Sequence, residues 1–425
     1  MEYKDFSSIW SSLHTQFKSP AQVIYLALVG FVVGASGGAI IAVFRITKDA
    51  AYGAVSRWLA NCDSIILIVG YFILAILAAL LVGLLIRNTA IRFGGAQWIR
   101  DALADGQLRP WKKILFPKFL GSWLTLAAGV SVGSEGPCIE MGAAAALGLK
   151  KFDKKEMFEM RYFILGGCAA GLSAAFSAPF AGICYVYEIM KQQLSRKLFV
   201  FLLGGGFGVY FSATLLFGLD VMLPLGDTQY LRLSYAWLII PLGIFASLAG
   251  VTYNLLLRFA IQCYKRQIIV PLIYRPLFPF IAAGILMCLY PAITGEGTRI
   301  FASFPHWQSM ISFLCVFVIA KLLFTAFCYG SGIPAGLMVP ILCVGGAMGG
   351  IFGDAVGALS LIPAGSEGTF AILGMAAAFS AAECAPVTAT VLVTQMTGTL
   401  DLALPTLLAS FIGWCVSRYA RVKAP

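Results

Sequence analysis

The chain is poor in the residues that soluble chemistry uses. Of 425 residues only two are histidine, His14 and His306, which excludes a histidine-built catalytic or metal centre. Eleven cysteines are scattered without a close Cys-x-x-Cys pair, and most fall in apolar stretches, where cysteine acts as a small buried hydrophobe. Charged residues make up 12% of the chain, about half the usual share of a soluble domain. The first 20 residues carry both charge signs and lack the layout of a cleavable signal peptide.

What fills the chain instead is apolar and small. Hydrophobic residues reach 60%, and 45 glycines permit close helix packing. Residues 21–45, 64–86, 197–218, 233–257, 278–294, 308–327 and 402–416 are long apolar runs. Several approach the roughly 20 residues that cross about 30 Å of hydrocarbon. Shorter runs interrupted by glycine read as broken or re-entrant helices buried in protein. The fold class expected is all-α: a polytopic membrane protein of tilted and broken helices that partners membrane lipid. The net charge of +11 resides in short loops, Arg109 to Lys113, Lys150 to Lys155, Lys191 to Lys197 and Arg418 to Lys423. Such clusters mark cytoplasmic loops, so the positive charge points to membrane topology and not to nucleic acid.

Two segments repeat at about half the chain length. Lys118 aligns with Lys321, Gly133 with Gly336 and Pro137 with Pro340 at a spacing of 203. At a spacing of 207, Gly167 meets Gly374, Ala178-Pro179 meets Ala385-Pro386, and Glu188 meets Gln395. The division expected is a cytoplasmic segment 1–20, membrane repeats 21–218 and 219–417, and a short tail 418–425 with no soluble domain appended. An odd number of crossings per repeat inverts one repeat relative to the other.

Each repeat carries a Gly-x-x-x-Pro element after a long apolar span: Gly133-Ser134-Glu135-Gly136-Pro137 and Gly336-Leu337-Met338-Val339-Pro340. Proline is tolerated in a first helical turn, and glycine lets the preceding backbone approach a ligand. Each element therefore reads as a helix start with unpaired N–H groups and the positive end of the helix dipole, which is an anion site. Two such elements facing each other would hold a small anion without a full positive charge, weakly enough to release it. Glu135 is an ionisable group at membrane depth and hence a functional candidate. It competes with an anion for those N–H groups until protonation releases it; the plainer alternative is an N-cap carboxylate.

These residues resemble the CLC family of chloride channels and chloride/proton antiporters. Gly133 to Pro137 matches the family's Gly-x-Glu-Gly-Pro, with Ser134 in place of the usual basic residue. Gly336 to Pro340 matches Gly-x-Phe-x-Pro, with Met338 for Phe. Gly330 to Pro334, Gly374 to Ala377 and Leu172 to Gly182 match further stretches, so the likeness runs from about residue 90 to about 415. The resemblance implies two inverted repeats, a homodimer with a pore in each subunit, and an inner-membrane location. It implies that Glu135 is the gating, proton-carrying glutamate. Leu337 and Met338 would bind a central anion through their N–H groups, Gly136 would line an outer site, and Gly133, Ser134 and Gly336 would frame the path.

Three positions depart from the family pattern. Gly94 stands where a serine hydroxyl would touch the central anion. Ile189 follows Glu188 where an inner proton-transfer glutamate is expected. The tyrosine that closes the inner pore has no clear counterpart, although Tyr419 is nearby. Glu188 is a second proton carrier or a buried acid paired with Lys191 or the backbone. Glu140 reads as support for its helix start ahead of proton transfer, Lys118 and Lys321 as internal charge partners, and Glu383 has no assigned role. The function expected is transport of chloride or fluoride with protons, without a cofactor. An uncoupled channel is the alternative, and an intramembrane enzyme using Glu135 and Glu188 is a remote one.

Overall fold

A computed structural model describes residues 20–61, 64–89, 91–94, 97–106, 109–152, 159–193, 195–225, 233–301, 311–362 and 366–421. The expected readings of residues 1–19, His14, His306, Gly95, Ala96 and the tail 422–425 lie outside them.

The described chain is helical. In order it forms α1 (Pro20–Ala60), α2 (Ile65–Asn88), α3 (Gln97–Asp105), α4 (Lys112–Ala127), α5 (Glu135–Lys150), α6 (Met160–Phe176), α7 (Ala181–Glu188) and α8 (Arg196–Val209). A π-helical turn, Tyr210–Leu216, extends α8. The second half contains α9 (Ile239–Arg266), α10 (Leu277–Leu289), α11 (Ile311–Gly330), α12 (Met338–Ala358), α13 (Glu367–Glu383), α14 (Pro386–Thr397) and α15 (Ala403–Ala420). Among the described residues eight helical stretches are long and apolar enough to span a membrane, so the chain is a multi-pass membrane protein.

Helix α1 extends beyond the apolar run at 21–45, as far as Ala60. Two cations inside it are tolerated because each is paired. Arg45 donates to the Ala174 carbonyl at 2.7 Å, and Lys48 bonds Glu296 at 2.8 Å.

The helices around the two Gly-x-x-x-Pro elements are buried, while α2 turns Ile65, Ile66, Leu74 and Leu77 outward on an apolar surface. Small residues set the close contacts. A side chain at Gly142 would strike the Gly167 carbonyl, and one at Gly345 the Gly374 carbonyl. These are equivalent crossings, α5 on α6 and α12 on α13, where helix backbones approach without intervening side chains.

The repeat also fixes where helices stop. α6 ends at Ser177 (φ 52°) and α13 at Cys384 (φ 56°), each in left-handed conformation and each followed by Ala-Pro. A residue before proline is steered away from helical geometry, so each chain breaks and restarts as α7 or α14. The helix restarts then cap each other across the repeat. Glu188 on α7 accepts from Val387 N–H (3.0 Å) and Thr388 N–H, while Gln395 on α14 accepts from Phe180 N–H (3.1 Å).

Candidate anion and proton pathway

The two Gly-x-x-x-Pro elements meet. Gly133 N–H donates to the Gly336 carbonyl at 2.9 Å, and Gly336 N–H donates back to Gly133 at 2.7 Å. This isolated antiparallel bridge joins equivalent residues of the two halves. Immediately beyond it α5 starts at Glu135 and α12 at Met338, so two helix N-termini face a shared space.

The Glu135 side chain fills that space. One carboxylate oxygen accepts the Met338 N–H; the other, also buried, has no hydrogen-bond partner among the described residues. A Cβ at either Gly133 or Gly336 would strike this carboxylate, so the two glycines leave the space in which it sits. The carboxylate thus lies where a small anion would be held by helix N–H groups, and the two compete for one donor.

Around it the polar groups are satisfied in a repeated pattern. Lys118, fully buried, donates to the carbonyls of Ile91 (2.9 Å) and Phe93 and pairs with Glu140 at 3.0 Å. Trp98 Nε1 donates to the other Glu140 oxygen at 3.2 Å. Lys321 donates to the carbonyls of Ile293 (2.9 Å) and Gly295 (2.6 Å). Lys118 is therefore an internal charge partner, as expected, whereas Lys321 is held by main-chain oxygens. Each lysine pins one loop, 91–94 or 293–296, beside the central bridge.

The loop 91–94 places Gly94 between the two elements. A Cβ on Gly94 would strike the Ala335 carbonyl and lie 3.3 Å from Gly136 Cα. There is no room for a serine, which accounts for the missing hydroxyl.

Two tyrosines and two glutamates that the sequence reading left without a site role surround this centre. Tyr253, buried on α9, donates its hydroxyl to the Leu337 carbonyl at 3.0 Å. Tyr253 and Tyr329 both lie within electrostatic reach of Glu135 and of Glu383, the last residue of α13. Glu296 accepts the Ser134 N–H at 3.0 Å and so reaches the first turn of α5. Its signal was available in the glycines flanking it, Gly295 and Gly297.

The family model described as voltage gated chloride channel matches residues 75–418. The chain belongs to this family, the CLC proteins. It is 30% identical over 419 residues to the H(+)/Cl(-) exchange transporter ClcA of Vibrio vulnificus (strain YJ016), covering 92% of this chain and 85% of the relative. It is 31% identical over 422 residues to the H(+)/Cl(-) exchange transporter ClcA of Yersinia pestis bv. Antiqua (strain Angola), covering 93% and 86%. Among solved structures, a slow cyanobacterial Cl-/H+ antiporter superposes with a TM-score of 0.85 at 24% identity, covering 93% of this chain and 95% of that one. A CLC-type fluoride/proton antiporter superposes with a TM-score of 0.75 at 18% identity, covering 96% and 98%.

Within this CLC fold the remaining candidate residues sit as follows. Glu188 caps α14 through main-chain bonds; its partner is the backbone, not Lys191. Ile189 borders a cavity of about 570 Å³ with Arg100, Arg161, Tyr185, Lys191 and Gln192. That cavity is basic where an acidic relay was expected. Tyr419 is 92% exposed at the end of α15, and the tyrosine that bonds the central element is Tyr253, on the Leu337 carbonyl. Glu383 is partly buried and lies in electrostatic reach of Tyr185, which borders the same inner cavity.

Proposed function

We propose that this CLC protein exchanges a small inorganic anion, chloride or fluoride, for protons across the inner cell membrane as a homodimer, with Glu135 as the residue that couples the two fluxes. The observation that carries this reading is the Glu135 carboxylate on the Met338 N–H, between Gly133 and Gly336. An anion displaces the carboxylate only when it swings away or takes up a proton, since the protonated acid no longer competes for the donor. The anion is held by the main-chain N–H groups of Leu337 and Met338 at the centre, with Gly336 fixed beside them by its bridge to Gly133. Gly133, Ser134 and Gly136 frame the path at the start of α5, and Gly94 closes it from the side.

The relatives support exchange over simple conduction, since they are named H(+)/Cl(-) exchange transporters. With Ile189 facing the inner cavity, the inward proton route is read as Glu135 to Glu383 and then to water beside Tyr185. Glu188, with both oxygens on the backbone of α14, serves this route by holding α14 in place. Ile189 is also the one observation that favours the second reading, an uncoupled anion channel.

Liposomes holding the purified protein separate the two. Under an imposed chloride or fluoride gradient, exchange moves protons against their own gradient, and the external pH records it. Anion flux with no pH response leaves the channel; no flux of either halide overturns the transport reading.

A further inference from the structure

The repeat places a second carboxylate on the anion path, on the side opposite the inner cavity. Lys118 holds the carbonyls of Ile91 and Phe93, and Lys321 holds those of Ile293 and Gly295, at matching register. The residue after Phe93 is Gly94, and the residue after Gly295 is Glu296. Glu296 is thus the repeat counterpart of Gly94. One half presents no side chain to the neighbouring helix start, and the other presents a carboxylate.

That carboxylate is bound as an anion would be bound. One oxygen accepts the Ser134 N–H at 3.0 Å at the head of α5, and the other accepts from Lys48 Nζ at 2.8 Å. Lys48 is itself buried, and its remaining acidic partner is Asp49 at 2.8 Å, whose side chain is mostly exposed. The donor set, one helix-terminal N–H and one buried ammonium, suits a halide equally well. The two carboxylates thus stand on the two facing helix starts, Glu296 on the Ser134 N–H at the head of α5 and Glu135 on the Met338 N–H at the head of α12.

The site opens to water. Lys48, Asp49, Tyr52, Thr294, Thr298 and Arg299 line a cavity of about 160 Å³ that reaches Glu296. Near its start α1 shares a hydrophobic cluster with the end of α5, Leu26 and Val33 with Ala146, next to the basic loop at Lys150. Lys48 lies about 28 Å further along α1, at about 1.5 Å per residue. This cavity is therefore on the face away from the basic loops, which is the outer face. Lys321 on the Gly295 carbonyl and the Gly295 N–H on the Gly129 carbonyl (2.8 Å) hold the loop, so Glu296 leaves by rotation of its own side chain toward this cavity.

We propose that Glu296 is a second, outer glutamate gate. Its carboxylate occupies an external anion station made by Ser134 N–H and Lys48, and an incoming halide must displace it before it meets Glu135. This rests on the anion-transport reading above, and it deepens that reading by assigning a residue that sets external anion affinity.

The test is Glu296→Gln, with Glu296→Ala as the second variant. Glutamine keeps an oxygen for Ser134 and leaves Lys48 paired with Asp49, but its neutral amide competes poorly for the ammonium. In liposomes, the external chloride concentration giving half-maximal flux falls by five-fold or more in both variants. The internal half-maximal concentration and the anion-to-proton ratio stay at wild-type values. In detergent, isothermal titration of the wild type and both variants with sodium chloride gives tighter binding in the variants by a similar factor. Wild-type external dependence and wild-type chloride binding in the variants overturn the gate while the transport reading stands. If no protein carries halide, the titration alone decides: unchanged chloride affinity overturns the external station.

Discussion

Gly133 and Gly336, equivalent residues of the two halves, exchange both of their main-chain hydrogen bonds, at 2.9 and 2.7 Å. An antiparallel exchange between equivalent residues is what a two-fold relation between the halves requires. It also positions α5 and α12 to begin at one point, and it leaves the Glu135 carboxylate against both glycine Cα atoms.

Gly133→Ala and Gly336→Ala are therefore expected to expel the Glu135 carboxylate from the Met338 N–H. The added methyl collides with the carboxylate, so the side chain is the group that moves. Anion flux persists while the anion-to-proton ratio rises above that of the wild type, read from paired halide and pH traces. A variant that folds and keeps the wild-type ratio contradicts this placement of Glu135.

Lys118→Met removes the partner of Glu140 from a fully buried site. Breaking one side of a buried ion pair costs about 3–5 kcal/mol, because a charge is left unpaired. Trp98 still bonds Glu140. The melting temperature of the detergent-solubilised variant is expected to fall sharply, and Lys118→Met with Glu140→Gln to recover part of the loss. Equal melting of single and double variants counts against the pair as a stability element.

Much of this was legible in the sequence because it is repetitive. The spacings of 203 and 207 anticipate the Gly133–Gly336 bridge, the paired lysines and the reciprocal capping by Glu188 and Gln395. Glu135 was legible because a carboxylate between glycines at membrane depth has few structural uses. The far half of α1 was not, since Arg45, Lys48 and Asp49 end an apolar run, and it takes partners such as Ala174 and Glu296 to make the Arg45 and Lys48 cations compatible with burial. Tyr253 escaped notice because a tyrosine on an apolar helix carries no local mark; its role depends on the Leu337 carbonyl, 84 positions away. Gly94 shows the reverse case, where the sequence recorded a lost hydroxyl and the contact with Ala335 supplied the reason.

Gly94→Ser tests that reason. Restoring the hydroxyl usual in the family drives a Cβ into the Ala335 carbonyl, and overpacking of this kind costs about 1–3 kcal/mol. The variant is expected to lose stability and flux together. Faster anion exchange with unchanged melting would mean that the loop yields and that the missing hydroxyl limits the wild type.

Glu188→Ala strips the partner from Val387 and Thr388 N–H and is expected to cost about 0.5–2 kcal/mol, as for other lost helix caps. Glu188→Gln keeps one acceptor and most of the stability. A capping role predicts that Glu188→Gln retains the wild-type anion-to-proton ratio. A collapse of that ratio at full stability assigns Glu188 to the proton route instead.

Glu383 and Glu135 are separated by the same logic. If protons pass from Glu135 toward the inner cavity by way of Glu383, then Glu383→Gln slows proton flux while halide flux continues. Glu135→Gln is more severe. Its amide still accepts the Met338 N–H, yet it exchanges no proton with the path, so proton movement is abolished and part of the anion flux remains. The double variant then behaves as Glu135→Gln alone, because both residues act on one route. Glu383→Gln with wild-type coupling removes Glu383 from that route. Glu135→Gln with wild-type coupling removes Glu135, and the carboxylate on Met338 becomes a helix cap and nothing more.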